Sequence, residues 1–134
     1  MKVLCFGTFD GLHPGHEDYF RQAKVLGDHL TVVVARDETV MEVKGRASRL
    51  DQDERLRLVQ DHGLVDEAHL GFAGDKYQII EQLQPDVILL GYDQSAFTDR
   101  LAEALTSRGL SIDIRRAAAY HPERYKSSKL AEYA

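Results

Sequence analysis

Short apolar runs alternate with amphipathic segments along the whole chain. Five runs read as strands because they are too short for helices and are rich in apolar or β-branched residues: KVLCFG (2–7), HLTVVVA (29–35), VDEAHLG (65–71), DVILLG (86–91) and LSIDIRR (110–116). The last alternates with period two, whereas HLTVVVA and DVILLG are apolar enough to predict strands buried on both faces.

The segments between these runs carry helical spacing. Helices are predicted over residues 16–28, 50–63, 75–84, 97–109 and 127–133. Gly27, Gly63 and Gly109 are candidate helix stops, and Asp51 followed by Glu54 is a capping-box pattern. Residues 36–49 lack a clear period, so a short helix or turn followed by a mobile basic loop is expected there.

Strands that alternate with helices predict a parallel sheet covered on both faces. With 134 residues, we expect a single domain spanning residues 1–134, an α/β fold of the Rossmann-like, doubly wound kind with a five-stranded parallel sheet. Ligands of such folds bind beyond the carboxyl ends of the strands, near the switch in strand order.

Charge and composition narrow the classes of function. The net charge of −5 argues against nucleic-acid and membrane-surface partners, which repel an acidic protein. No apolar run reaches the ~20 residues of a membrane span, and no signal-peptide pattern opens the chain. Cys5 is the single cysteine, so no internal disulfide can form and a cytoplasmic location is expected.

The stretch CFGTFDGLHPGH (5–16) lies where the first strand ends and a helix begins. Gly7 and Gly11 permit tight turns, Pro14 suits a first helical turn, and Gly15 leaves the helix mouth open. Helical N–H groups at such a mouth attract anions. His13 and His16 add donors there, which predicts a phosphate site.

Three other interpretations of the two histidines remain open: ordinary loop residues, a purely structural turn, or a zinc site. Zinc needs three or four ligands, and the remaining four histidines are scattered without a second pair. Neither a P-loop nor a G-x-G-x-x-G motif is present, and GFAGDK (71–76) has the wrong spacing for a phosphate loop.

The segment GTFDGLHPGH resembles the H-x-G-H signature of the cytidylyltransferase-like nucleotidyltransferases. ARDETV, KGR, DERLRLV, PDVILLGYDQ and SSK follow in the order and spacing of the small members of that family. ARDETV, KGR and PDVILLGYDQ most resemble the archaeal-type FAD synthases, which transfer AMP from ATP to FMN. Glycerol-3-phosphate cytidylyltransferase is a near relative with the same signature.

The resemblance implies attack of an acceptor phosphate on the α-phosphorus of a nucleoside triphosphate, with pyrophosphate leaving. The catalytic residues that it implies are His13, His16 and Lys44. The nucleotide-binding residues that it implies are Gly7, Thr8, Phe9, Asp10, Gly15, Arg55, Gly91, Asp93, Arg124, Ser127 and Ser128. Mg²⁺ is expected with the triphosphate, Asp10 is a candidate for placing it, and no separate protein-bound metal is expected.

Two basic islands in this acidic chain agree with a triphosphate ligand. Residues 44–57 hold five basic and three acidic side chains, and residues 115–129 hold five basic and one acidic. The end of the chain departs from its relatives: Lys126 precedes the serines, no cysteine lies there, and Arg124 stands in for a shifted arginine. This departure bears on the phosphate contacts and not on the fold.

Several functions stay open on the sequence alone. The expected one is AMP transfer to FMN; the alternatives are CMP transfer to glycerol 3-phosphate or transfer to another phosphorylated acceptor, such as a sugar phosphate. A nucleotide sensor without turnover is disfavoured because it needs no groups aimed at the α-phosphate. A scaffold or nucleic-acid adaptor is disfavoured by the acidic balance. The resemblance also implies small-molecule substrates and a homodimer.

Overall fold

The computed structural model describes residues 1–71, 77–92 and 101–119. In chain order the elements are β1 (Lys2–Gly7), α1 (Pro14–Leu26), β2 (His29–Val34), α2 (Asp37–Lys44), α3 (Gln52–Gln60), β3 (Glu67–Leu70), α4 (Gln78–Leu83), β4 (Val87–Leu90), α5 (Leu101–Ser107) and β5 (Asp113–Arg116). The five predicted strands are confirmed. The predicted helix 127–133 lies outside the described residues.

The five strands form one parallel sheet in the order β3-β2-β1-β4-β5. The chain moves outward from β1 to β3 and then returns to place β4 on the other side of β1. The strand order therefore switches between β1 and β4, where a crevice for ligands is expected at the carboxyl ends. The α/β, Rossmann-like expectation is confirmed.

Helices cover both faces of the sheet. On one face α1 and α3 pack through Phe20, Ala23 and Val59 against Val3 and Val32. On the other face, α4 and α5 pack through Ile80 and Leu101 against alternate strand residues such as Leu4 and Ile88. Among the described residues, no helix is both long enough and apolar enough to cross a bilayer.

Helix α1 begins two residues before the predicted start because Pro14 occupies its first turn. The helix ends at the predicted Gly27, whose N–H donates to the Ala23 carbonyl at 3.2 Å, although the backbone of this glycine is extended, with φ −162°. A Cβ at Gly27 would lie 2.5 Å from the carbonyl oxygen of Met1. The glycine therefore permits the close approach of β1 to the end of α1.

Helix α3 begins with the predicted capping box. The Glu54 N–H donates to the Asp51 carboxylate at 2.8 Å, and the Asp51 N–H donates to the Glu54 carboxylate at 3.3 Å. The helix ends at Gln60, before the expected stop at Gly63. Gly109, by contrast, has φ +73° just after α5 and acts as the predicted stop.

Candidate active site

His13 is the N-cap of α1. Its backbone is extended, and its Nδ1 accepts a hydrogen bond from the Gly15 N–H at 3.0 Å. Burial lowers the pKa of His13 below its ordinary value, so the ring is neutral at pH 7. Because Nδ1 accepts, the single proton of the neutral ring lies on Nε2, and the cap thereby makes Nε2 a donor.

The rings of His13 and His16 stack, with centroids 3.9 Å apart and planes 30° from parallel. His16 is buried, and the edge of its ring meets Phe9 at a centroid distance of 5.2 Å. Two positive rings at this separation would repel each other. The geometry therefore favours a pair that carries at most one charge at the mouth of α1.

Phe9 sets the shape of the turn between β1 and α1. It is 1% exposed and has φ +56°, an uncommon conformation for a non-glycine residue. Its ring lies against Gly7, where an added Cβ would come within 2.6 Å of Phe9 Cζ. Gly7 thus makes room for the ring that supports His16, and Gly11, with φ +105°, completes the turn.

The carboxylate of Asp10 is committed to backbone groups. Its Oδ2 accepts from the Arg49 N–H at 2.7 Å and its Oδ1 from the Leu50 N–H at 2.8 Å. Burial works to raise the pKa of Asp10, but these two bonds outweigh it and hold the pKa below its ordinary value. These bonds tie the end of the predicted basic loop, residues 49 and 50, to Asp10.

Arg55 lies on α3 and points into the fold. Its side chain is 0% exposed, so the guanidinium is enclosed by protein groups. It donates to the carbonyls of Thr8 (2.9 Å), Ala35 (2.7 Å) and Leu50 (3.2 Å) and to the Asp37 carboxylate (2.8 Å). These partners all belong to the fold, and the predicted phosphate contact of Arg55 stays a prediction.

Lys44 is the last residue of α2 and is half-buried. The helix starts directly after the carboxyl end of β2, at the same edge of the sheet as the turn that carries the histidines. Gly45 follows with φ +73° and ends the helix by donating to the Met41 carbonyl.

Gly91 follows β4, and Gly7 ends β1. The last paired residues of the two strands are Cys5 and Leu89, so the two glycines stand side by side at the switch point. The Gly91 carbonyl accepts from Arg116 Nη1 at 2.8 Å, which brings a second basic group to this edge. Gly15 opens the mouth of α1 beside them.

The remaining predicted binding residues, Asp93, Arg124, Ser127 and Ser128, lie outside the described residues. Within the described ranges, no group of three metal-ligating side chains comes together. The structure therefore brings together the histidines, the glycines and the backbone of the turn, and the binding role of each stays a prediction.

Three structural residues of the site were not singled out from the sequence: Asp37, Arg116 and Tyr19. The buried Tyr19 hydroxyl donates to the Leu89 carbonyl and accepts from the Phe6 N–H at 3.4 Å, which pins α1 to both strands of the switch point. Asp37 lies in the ARDETV segment that carries the family resemblance, but the sequence assigned it no role.

Cys5 lies beneath the same region. It is completely buried in β1, and burial raises the pKa of its thiol to about 12. The thiol is therefore inert at physiological pH, as expected for a small apolar residue in a strand.

A parallel sheet with a glycine-lined switch point, and an imidazole pair at the N-terminus of the adjoining helix, are features of a nucleotide-binding α/β protein, and the relatives identify the class as nucleotidyltransferase. The chain belongs to the cytidylyltransferase-like family, whose pattern it matches over residues 4–132. The predicted resemblance is thereby confirmed.

The chain is also similar in sequence to named proteins over most of their length. The chain is 47% identical over 116 residues to the FAD synthase of Halomicrobium mukohataei, covering 86% of this chain and 79% of that protein. It is 40% identical over 132 residues to the FAD synthase of Methanoculleus marisnigri, covering 98% and 87%. A crystal structure described as the lipopolysaccharide core biosynthesis protein of Thermoplasma volcanium superimposes with a TM-score of 0.85 at 38% identity, covering 90% of this chain and 98% of that one.

Proposed function

We propose that the protein transfers AMP from ATP to FMN, forming FAD and pyrophosphate. The observation that carries the proposal is the stacked pair of His13 and His16 at the N-terminus of α1, beside the β1–β4 switch point. The FAD synthases among the relatives support FMN and ATP as the substrates.

In the proposed reaction a phosphate oxygen of FMN attacks the α-phosphorus of ATP. A new oxygen–phosphorus bond forms while the bond from the α-phosphorus to the α–β bridging oxygen breaks, and pyrophosphate leaves. Negative charge grows on the transferred group, where the Nε2–H of His13 and the ring of His16 donate. Removing one preorganised donor of this kind typically costs ~2.7–4 kcal/mol of barrier.

Mg²⁺ is proposed to enter as the partner of the triphosphate. The described residues supply no set of three ligands for a protein-held cation. Both carboxylate oxygens of Asp10 already accept backbone N–H bonds, so Asp10 does not fit the role of a principal ligand. The phosphate oxygens would hold the ion instead, and the ion would neutralise triphosphate charge.

Lys44 is proposed to contact the triphosphate from the end of α2, and the serines 127 and 128 to bind it from the end of the chain. ATP is preferred over CTP in this proposal, and a homodimer is the expected assembly. A sugar phosphate is the second candidate acceptor, because the structural relative from Thermoplasma volcanium carries a lipopolysaccharide-core name.

A substrate panel tests the proposal. Purified protein with Mg²⁺ is given ATP or CTP, paired with FMN, glycerol 3-phosphate or a hexose 1-phosphate, and pyrophosphate and the joined product are measured. FAD from ATP and FMN at a rate well above every other pair is the expected result. Faster turnover of CTP with glycerol 3-phosphate would contradict the proposal and identify those two compounds as the preferred substrates.

Two histidine variants test the site itself. His16→Ala should lose at least about a hundredfold in kcat, since a transition-state donor is removed. His69→Ala is the matched control, because its ring lies on the edge strand β3 and is 42% exposed. A folded His16→Ala enzyme with a kcat close to that of wild type would contradict the proposed role of His16 as a donor.

A further inference from the structure

Residues 37–50 form a strap that leaves the sheet after β2 and returns at the start of α3. The strap comprises α2, with Lys44 at its end, and an irregular stretch that includes Arg46 and Arg49. The middle of the strap is largely exposed, but its two ends are held against the turn that joins β1 to α1.

Arg55 clamps the first end of the strap. One amino group of its guanidinium bridges the Thr8 and Ala35 carbonyls, and the other meets the Asp37 carboxylate at 2.8 Å. A buried guanidinium without partners is strongly destabilising, so this set of bonds is retained as a unit. Asp37 is the first residue of α2, and its position sets where the helix starts.

Asp10 clamps the other end. Its carboxylate accepts hydrogen bonds from the N–H groups of Arg49 and Leu50. The Arg49 side chain also donates to the Asp10 carbonyl at 2.9 Å. The Nε of Arg55 also donates to the Leu50 carbonyl at 3.2 Å. Both clamps therefore meet at Leu50. Both also involve the turn that presents the histidines, because Asp10 belongs to it and Arg55 donates to the Thr8 carbonyl.

We propose that Arg55 and Asp10 are positioning residues that fix the strap, and through it Lys44, relative to the His13–His16 pair. The inference rests on the proposed function, in which Lys44 contacts the triphosphate. A planar guanidinium suits this task because it joins three chain segments at once, which the single ammonium group of a lysine does not reproduce. The two residues then act on the reaction without touching its substrates.

Asp37→Asn is the first test, because it removes the charge of the clamp and keeps an oxygen acceptor. The Asp37 side chain is 51% exposed, so the variant should fold. We expect kcat/KM for ATP to fall by about tenfold, as small displacements of positioning groups do. Glu38→Gln is the matched control, since Glu38 is an exposed acid in the same first turn, and its kcat/KM should stay within about twofold of wild type.

A double-mutant cycle with Lys44→Ala separates positioning from plain stability. If Asp37 acts through Lys44, the loss caused by Asp37→Asn should shrink to less than about twofold once Lys44 is alanine. Additive losses would overturn the proposal, and so would an Asp37→Asn enzyme with unchanged kcat/KM. Arg55→Lys supplies a second cycle with the same expectation, with circular dichroism confirming that each variant is folded.

The two proposals fail separately. If wild-type protein forms no FAD, the cycle is run with whichever pair in the substrate panel turns over. If none turns over, it is run on the dissociation constant of a non-reactive ATP analogue, where the same non-additivity is expected. Additive effects in an enzyme that makes FAD would leave the proposed function intact and contradict the positioning role of Arg55 and Asp10.

Discussion

A single side chain, His13, performs two tasks at two ring nitrogens. Nδ1 closes the N-terminus of α1 by accepting from the Gly15 N–H, and this bond leaves the proton on Nε2. The sequence predicted the donor at the helix mouth from residue type and spacing. It did not predict the cap, because histidine is not among the residues that usually occupy this position.

The cap makes stability depend on pH. The pKa of His13 is below its ordinary value of 6.5 in the folded protein, because burial disfavours the charged ring. The unfolded chain therefore binds the proton more readily, so the contribution of His13 is complete above about pH 6.5 and is lost as the pH falls through the lower folded pKa. Protonation also removes the acceptor of the cap.

His13→Asn isolates this effect, because asparagine can cap the helix and does not titrate. Between pH 7.5 and 5, the free energy of unfolding should fall more steeply for wild type than for His13→Asn when both are measured by denaturant titration. Identical slopes would mean that His13 protonates equally well in the folded and the unfolded chain.

The hydrogen-bond partners of Asp10 and Arg55 could not be predicted from the sequence. Both residues were expected at the ligand from family resemblance and charge, and in the structure both are hydrogen-bonded to backbone groups, with Arg55 also bonded to Asp37. Residue type shows that a charge is present but not what neutralises it. The Arg55–Thr8 bond joins residues 47 apart in sequence, and no local pattern encodes such a pairing.

Among the elements, the strands were predicted outright, whereas the α2 segment was predicted only as a short helix or turn. The three central strands β1, β2 and β4 are short apolar runs whose burial on both faces leaves a clear signal. Helix α2 buries only Val40 among its residues, so it lacks the apolar stripe that identifies a helix. Contacts with Arg55 at its first residue, rather than an apolar face, hold it in place.

The turn between β1 and α1 depends on the absence of a side chain at Gly7. In Gly7→Ala the new methyl group would meet the Phe9 ring at 2.6 Å, and that ring supports His16. We expect a loss of about 1–3 kcal/mol in the free energy of unfolding, together with a lower kcat.

Gly63→Ala is the control for Gly7→Ala, because nothing lies within 4 Å of a Cβ there. It should leave both the stability and the rate close to wild type. Equal effects of the two substitutions would show that backbone freedom, and not the Phe9 ring, decides the outcome at Gly7. Denaturant titration and steady-state kinetics measure the two quantities.

For the whole molecule, the alternation of strands and helices predicted a parallel sheet but not its strand order. Any order that keeps helices on both faces satisfies the alternation, so the placement of β4 beside β1 came from the structure. That order creates the switch point. The sequence predicted a site at the end of β1, and the pairing of β1 with β4 brings Gly91 to the same edge of the sheet.

Ligand binding should stabilise the entire fold if the crevice is a nucleotide site. An ATP analogue with a methylene group between its α- and β-phosphates, added with Mg²⁺ at 100 times its Kd, should contribute about 2.7 kcal/mol and raise Tm. At equal concentration, the matching CTP analogue should give the smaller shift in differential scanning fluorimetry. A larger shift with the CTP analogue would contradict the ATP preference.

The inert thiol at Cys5 makes the chain ready for site-specific fluorescent labelling. Because the native sulfur is buried and stays protonated, a cysteine introduced at exposed Arg46 would be the one thiol that a maleimide dye modifies at neutral pH. No prior replacement in β1 would be required. A dye at that position would report, in solution and in real time, whether residues 37–50 shift when nucleotide arrives.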